Sequence, residues 1–159
     1  MILYQSLSDR LKNQHEAIEN IIAKTDNVQF LVHPSPDKWS IQDNIAHLAK
    51  YQPVFTSRIN SILTSSSPTF DRYKAEDDPD FEIWRKRSVQ DLLQVLYSDR
   101  QILFNLITNL SEEKLNRTGI HKKYGKLTVV QWTEFFLLHE AHHIFTIFQL
   151  ANDTSLLKV

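Results

Sequence analysis

Apolar residues recur at helical spacing in four long stretches of this chain. In the first, from about Ser6 to Thr25, Leu7, Leu11, Ile18 and Ile22 share one face, and Asp26-Asn27 follows the last turn. The second starts behind His33-Pro34-Ser35-Pro36-Asp37, a loop because a residue that precedes proline disfavours helix. Ser40 is its N-cap with Asp43 at N3, and Ile41, Ile45, Leu48, Phe55, Ile59 and Ile62 form its stripe. The third runs from Ser88, again a cap with Asp91 at N3, to about Leu110, on Val89, Leu93, Leu96, Leu103, Ile107 and Leu110. The fourth, Thr128 to Leu150, opens on a capping box of Thr128 and Gln131, with Leu127 placed to staple onto Trp132. Its stripe is Trp132, Phe136, His139, His143, Ile147 and Leu150.

The chain holds only two glycines, Gly119 and Gly125, both between the third and fourth stretches, which argues against a turn-rich all-β fold. Asn116 to Lys126 reads as a loop, with His121, Lys122, Lys123 and Tyr124 as a local basic cluster on its surface. The expected fold is therefore all-α, a four-helix bundle over residues 1–159 as a single domain. Ser65 to Arg87 is a long connection rich in Ser, Pro and Asp. At about 3.3 Å per residue it can traverse a helix about 30 Å long, so the third helix is free to run parallel to the second. Its mixed charges read as a solvated strap.

Net charge is −1 with both signs mixed along the chain, so neither nucleic acid nor an anionic membrane is expected as a partner. No apolar run approaches the roughly 20 residues of a membrane span, and Met1 to Asp9 lacks the blocks of a signal peptide, so a cytoplasmic protein is expected. Cysteine is absent, which excludes disulfides, thiolate ligands and a protein-borne thiol nucleophile. Any metal rests on His, Asp and Glu.

His139 and His143, four apart on a helix, stack on one face at the spacing that lets two imidazoles grip one metal. His142 offers an alternative pair with His139 at i, i+3. The run His139-Glu140-Ala141-His142-His143 also matches the zincin pattern H-E-x-x-H. A metzincin would continue with Gly and a third His, where Thr146 and Gln149 stand, and a gluzincin needs a downstream Glu that this chain lacks. A third ligand must come from upstream. Periodicity alone leaves His47 off the stripe of its helix, beside Tyr51 and Val54 on a secondary face. His15 reads as a partly buried histidine hydrogen-bonded to a neighbour, and His33 as a loop residue. Arg100 interrupts the centre of the third stripe. Because a buried guanidinium needs a partner, it snorkels, pairs with Asp43 or Glu140, or faces an anionic ligand.

Trp39-Ser40-Ile41-Gln42-Asp43-Asn44-Ile45-Ala46-His47-Leu48 resembles the first motif of the DinB/YfiT superfamily of metal-binding four-helix bundles. Gly125-Lys126-Leu127-Thr128-Val129-Val130-Gln131-Trp132, His139-Glu140-Ala141-His142-His143 and Gln149 are similar to its last-helix pattern, and Phe81-Glu82-Ile83-Trp84 and Arg100 extend the resemblance between them. What the resemblance implies is an up-down-down-up bundle with the long crossover between the second and third helices. It also implies His47, His139 and His143 as ligands of a divalent metal, zinc or nickel by imidazole chemistry.

Relatives in that superfamily imply a transferase in which the metal activates a low-molecular-weight thiol of the bacillithiol or mycothiol type for attack on a small electrophile. One alternative is a hydrolase whose nucleophile is water on the metal, with Glu140 as proton shuttle and Arg100 as ligand-facing cation, although Glu140 lies about 100° around the helix from His139. The other is a non-catalytic stress-response binding protein. Finally, the fourth helix keeps a second apolar set, Phe135, Leu138, Phe145 and Phe148, once its histidine stripe turns inward. That predicts a homodimer through this helix, with the second helix contributing, unless the Ser65 to Arg87 strap covers the set.

Overall fold

The computed structural model describes residues 2–153. In chain order its elements are α1 (Gln5–Asn13), a 3-10 turn (Gln14–Glu16), α2 (Ala17–Ile22), a 3-10 turn (Gln29–Leu31), α3 (Ile41–Thr64), β1 (Thr69–Phe70), a 3-10 turn (Ala75–Asp77), α4 (Phe81–Arg85), α5 (Val89–Thr108), α6 (Glu112–Leu115), β2 (Thr118–His121), β3 (Gly125–Thr128) and α7 (Val129–Asn152). The expected caps are present. Ser40 accepts from the Asp43 amide and Asp43 returns the bond, Ser88 accepts from Asp91, and Thr128 and Gln131 close a capping box. Among the described residues no helix is long and apolar enough to cross a membrane.

Two apolar clusters fix the direction of each rod. One joins Ile18 and Ile22 with Ile41 and Ile45, Val89 and Leu92, and Ile147 and Leu150. The other joins Leu7 and Leu11 with Phe55 and Ile59, Leu103 and Ile107, and Val130 and Trp132. The end of α2 thus meets the starts of α3 and α5 and the end of α7, which makes the bundle up-down-down-up. Rod one, α1 with α2, packs on α5 and α7, and α3 packs on the same two, so rod one lies diagonally across from α3 and α5 diagonally across from α7.

Between the clusters lies a polar layer built on Arg100, which is 1% exposed. Its guanidinium pairs with Glu140, donates to Gln52 Oε1 at 3.2 Å and to the Leu11 carbonyl at 3.2 Å, and meets His15 Nδ1 at 3.3 Å. Gln14 donates to Glu140 at 2.9 Å. Asp43 is not the partner of Arg100, because it is held in the α3 capping box and by Arg85 Nε at 2.7 Å. The first helix is not continuous from Ser6 to Thr25. A tightened turn at Gln14–Glu16 brings two adjacent side chains, Gln14 and His15, to the polar layer, and α2 ends at Ile22.

The segment expected as a loop from Asn116 to Lys126 contains a hairpin. β2 pairs antiparallel with β3, and β1 joins β2 in parallel. Gly125 takes φ 78°, a left-handed conformation at the turn. Gly119 lets the sheet sit against the end of α3, where a Cβ would come within 2.8 Å of the Ile62 side chain. The strap is not simply solvated either. Ala75 and Phe81 are buried, and Tyr73 and Trp84 pack against that same cluster. It covers α3, not the apolar set of α7. Phe135 is shielded instead by His121 and Tyr124 of the hairpin, at ring distances of 5.4 and 5.3 Å. Leu138, Phe145 and Phe148 stay exposed at 58%, 58% and 49%.

Candidate metal centre

His47 from α3 and His139 and His143 from α7 converge, with one nitrogen of each within 4.8 Å of the others. His47 Nε2 and His143 Nε2 each lie 3.2 Å from His139 Nε2. A tetrahedral ion with metal–nitrogen bonds of about 2.0–2.1 Å separates its ligand nitrogens by about 3.3–3.4 Å, so the cluster fits a divalent metal with little adjustment. Between the two neighbouring histidines of α7 the geometry discriminates. His143 turns Nε2 into the cluster, whereas His142 is exposed, its ring 5.3 Å from that of His143.

Burial pushes all three imidazole pKa values down, to about 4 for His139, about 3 for His143 and further still for His47. Neighbouring imidazoles add to the effect in each case, and for His139 so do Arg72 and Arg58. The rings are therefore neutral at pH 7, the form in which a lone pair is free for a metal. Tautomer is set at His143, whose Nδ1 donates to Asn44 Oδ1 at 2.9 Å while Asn44 Nδ2 donates to the Ser40 carbonyl at 2.8 Å. Nδ1 of His47 and of His139 is buried without a partner among the described residues. Their orientation comes from packing: Trp39 lies 5.0 Å and Tyr73 5.8 Å from the His47 ring, and Tyr51 meets His139 edge-on at 4.9 Å.

Asn44 escaped the sequence reading, though a polar residue three before His47 inside a helix was a signal. Replacing Asn44 by Ala is expected to leave the bundle folded and to weaken metal binding about 10–100-fold, because the His143 ring loses its anchor. Competition against a chelating dye measures this, and an unchanged affinity would show that packing alone orients the ring.

The cluster opens into a cleft of about 680 Å³ between α3, α7, the strap and the hairpin, which reaches from Trp39 to Tyr124. Glu140 and Arg100 do not reach it. Glu140 is fully buried and faces the inner polar layer, its carboxylate engaged by Arg100 and Gln14. His15 belongs to that inner layer, and His33 binds the Lys38 carbonyl at 2.8 Å away from the cluster.

The profile of the DinB superfamily matches residues 10–147. The chain belongs to that superfamily. A protein of Oceanobacillus iheyensis, named as an inferred metal-dependent hydrolase, is 28% identical over 109 residues, which are 67% of this chain and 61% of that relative. This chain therefore spans less than two thirds of the relative's length. Among solved structures, YfiT from Bacillus subtilis, described as an inferred metal-dependent hydrolase with an unusual four-helix bundle topology, superposes with a TM-score of 0.80 at 16% identity. That match covers 94% of this chain and 86% of YfiT, and at this identity it speaks for the fold alone.

Proposed function

We propose that this DinB-superfamily protein is a metal-dependent hydrolase of a small molecule, with His47, His139 and His143 holding a divalent metal at the floor of the cleft. The observation that carries this is the convergence of three neutral imidazole nitrogens, from two helices, on a point open to that cleft. Three protein ligands leave part of the coordination shell for solvent or substrate, as catalytic sites do and closed structural sites do not. The names of the O. iheyensis relative and of YfiT support the same reading. Zinc or nickel suits an all-imidazole set.

When bound, the dication supplies Lewis-acid chemistry, polarising a carbonyl or phosphoryl oxygen and acidifying water. The chain's own residues do the rest. Asn44 keeps the proton of His143 on Nδ1, and burial keeps all three rings uncharged. Trp39, Tyr51 and Tyr73 pack against His47 and form part of the cleft wall beside the imidazoles. Glu140 is not placed to shuttle protons there, whereas the exposed imidazole of His142 lines the cleft.

The test uses protein purified without a histidine tag, loaded with zinc or nickel and assayed on a panel of carboxylic and phosphate esters. Turnover that chelator removes and His47→Ala lacks is the expected result. A second reading, the thiol transferase, has in its favour a cleft with room for a low-molecular-weight thiol beside an electrophile, in a chain that has no cysteine of its own. Consumption of a bacillithiol-type thiol and an electrophile, with no ester cleaved, would replace the hydrolase reading by that one. Inactivity in both assays would leave the non-catalytic binding protein.

Assembly belongs to the same proposal. Phe145 and Phe148 stack at 6.4 Å on the outer face of α7, in line with exposed Leu138. A homodimer through this face would bury them. Sedimentation at micromolar concentration is expected to give about twice 18.7 kDa, and a clean monomer would refute it.

A further inference from the structure

The chain carries a net charge of −1, yet the cleft above the histidines is lined by four cations, Arg58, Arg72, Lys74 and Lys123, and one carboxylate, Glu76. Lys74 has a partner of its own in Asp77 at 3.4 Å. Among the described residues no carboxylate pairs with Arg58 or Arg72. Arg58 is the better placed of the two. His47, Tyr51, Val54 and Arg58 are spaced four, three and four apart on α3, so one stripe carries both the innermost imidazole and this guanidinium along the cleft wall.

The Arg58 head group is fixed before any ligand arrives. Nη1 donates to the Tyr51 hydroxyl at 3.2 Å and Nη2 to the Asp71 carbonyl at 2.8 Å, while the rings of Tyr51, Phe70 and Trp132 surround it at 5.6 to 6.0 Å. Every one of these contacts is to a neutral group, which orients the charge without cancelling it. A dication held by three uncharged imidazoles adds positive charge at the other end of the same cleft. A neutral substrate would leave all of it unbalanced.

We propose that the cleft selects a small organic anion, a carboxylate or a phosphate ester, whose charged group is received by Arg58 and Arg72 while its reacting bond lies at the histidine cluster. The inference rests on the reading of this cleft as the substrate site. The planar fork of arginine suits both anions, and Lys123, above the Tyr124 ring at 5.3 Å, adds charge at the rim. At 1.5 Å rise per residue the Cα atoms of His47 and Arg58 are about 16 Å apart, which favours an extended molecule over a compact one.

Two measurements on metal-loaded protein test this. Calorimetry with glutarate and with phenyl phosphate is expected to show at least one of them binding, about tenfold more weakly to Arg58→Gln and about threefold more weakly to Arg72→Gln, with metal content unchanged in both. Arg72 is exposed, so its variant keeps the test open should Arg58→Gln fold poorly. Lys24→Gln, an exposed charge outside the cleft, controls for net charge. In the second measurement, 4-nitrophenyl hydrogen glutarate is compared with 4-nitrophenyl valerate, which has the same leaving group and nearly the same length. The wild type is expected to prefer the anionic ester by tenfold or more in kcat/KM, and Arg58→Gln to lose most of that preference. Anions that bind neither protein form, or bind wild type and both arginine variants alike through the metal alone, would overturn the inference whatever the esterase result. Arginine-dependent anion binding without cleavage of any ester would sustain it and remove the hydrolase reading instead.

Discussion

Alanine at His47, His139 or His143 is expected to reduce divalent-metal affinity by at least about a hundredfold, since even residues that only orient a ligand are worth 10–100-fold. The three nitrogens form one set, with the central His139 3.2 Å from each of the others, so no pair can keep the geometry of the three. Metal analysis after dialysis reads the loss directly. Thermal unfolding gives an independent reading, because a metal at a hundred times its Kd raises stability by about 2.7 kcal/mol in protein that retains the site and by little in protein that does not. His15→Ala and His33→Ala are expected to bind metal like the wild type, as both rings lie on other networks. Undiminished metal in the His47 variant would remove α3 from the site.

Arg100→Met is expected to destabilise the fold by about 3–5 kcal/mol, the usual consequence of taking one partner from a buried ion pair. Glu140 is 0% exposed and would keep only the Gln14 donor at 2.9 Å. Gln52 Oε1 and the Leu11 carbonyl would lose their guanidinium donor as well. Arg100→Met combined with Glu140→Leu is expected to recover much of that loss, because an apolar pair of similar volume avoids the desolvation of both charges. Urea denaturation of the single and double variants at pH 7 measures both effects. Equal stability of Arg100→Met and wild type would mean that Glu140 finds another partner.

The four apolar stripes were legible because each rod buries one face against two others, and that asymmetry is what periodicity records. Arg100 was legible as a buried cation in need of a carboxylate, while the choice between Asp43 and Glu140 was not. Only the fold reveals that Arg85, on the strap, claims Asp43. His47 was hidden by the same rule that exposed the stripes. From Ile41 to Gln52, α3 is covered by α5 and α7 on its inner side and by α4 and the strap on its outer side, so nearly every residue there is buried and no single face stands out. The hairpin was missed because its strands are four residues long, too short to show alternation, and what holds it is tertiary: Trp132 Nε1 donating to the Gly119 carbonyl at 3.3 Å and the close approach of Gly119 to Ile62. Asn44 and Arg58 were readable in retrospect as polar residues in register with His47.

Because α7 packs against both rod one and α3, the order in which the chain is made differs from the order in which its parts become neighbours. His47 meets His139 across 92 residues of sequence, and Arg100 meets Glu140 across 40. A nascent chain that has released α1 through α5 therefore holds a three-rod bundle with an open seam, one imidazole and a buried arginine still without its carboxylate. Loop-closure entropy makes such distant pairings late events in folding. Docking of α7 closes the seam and neutralises the arginine in one step, and under the proposed three-histidine site it also brings the full ligand set together, after the last helix has been synthesised and seated.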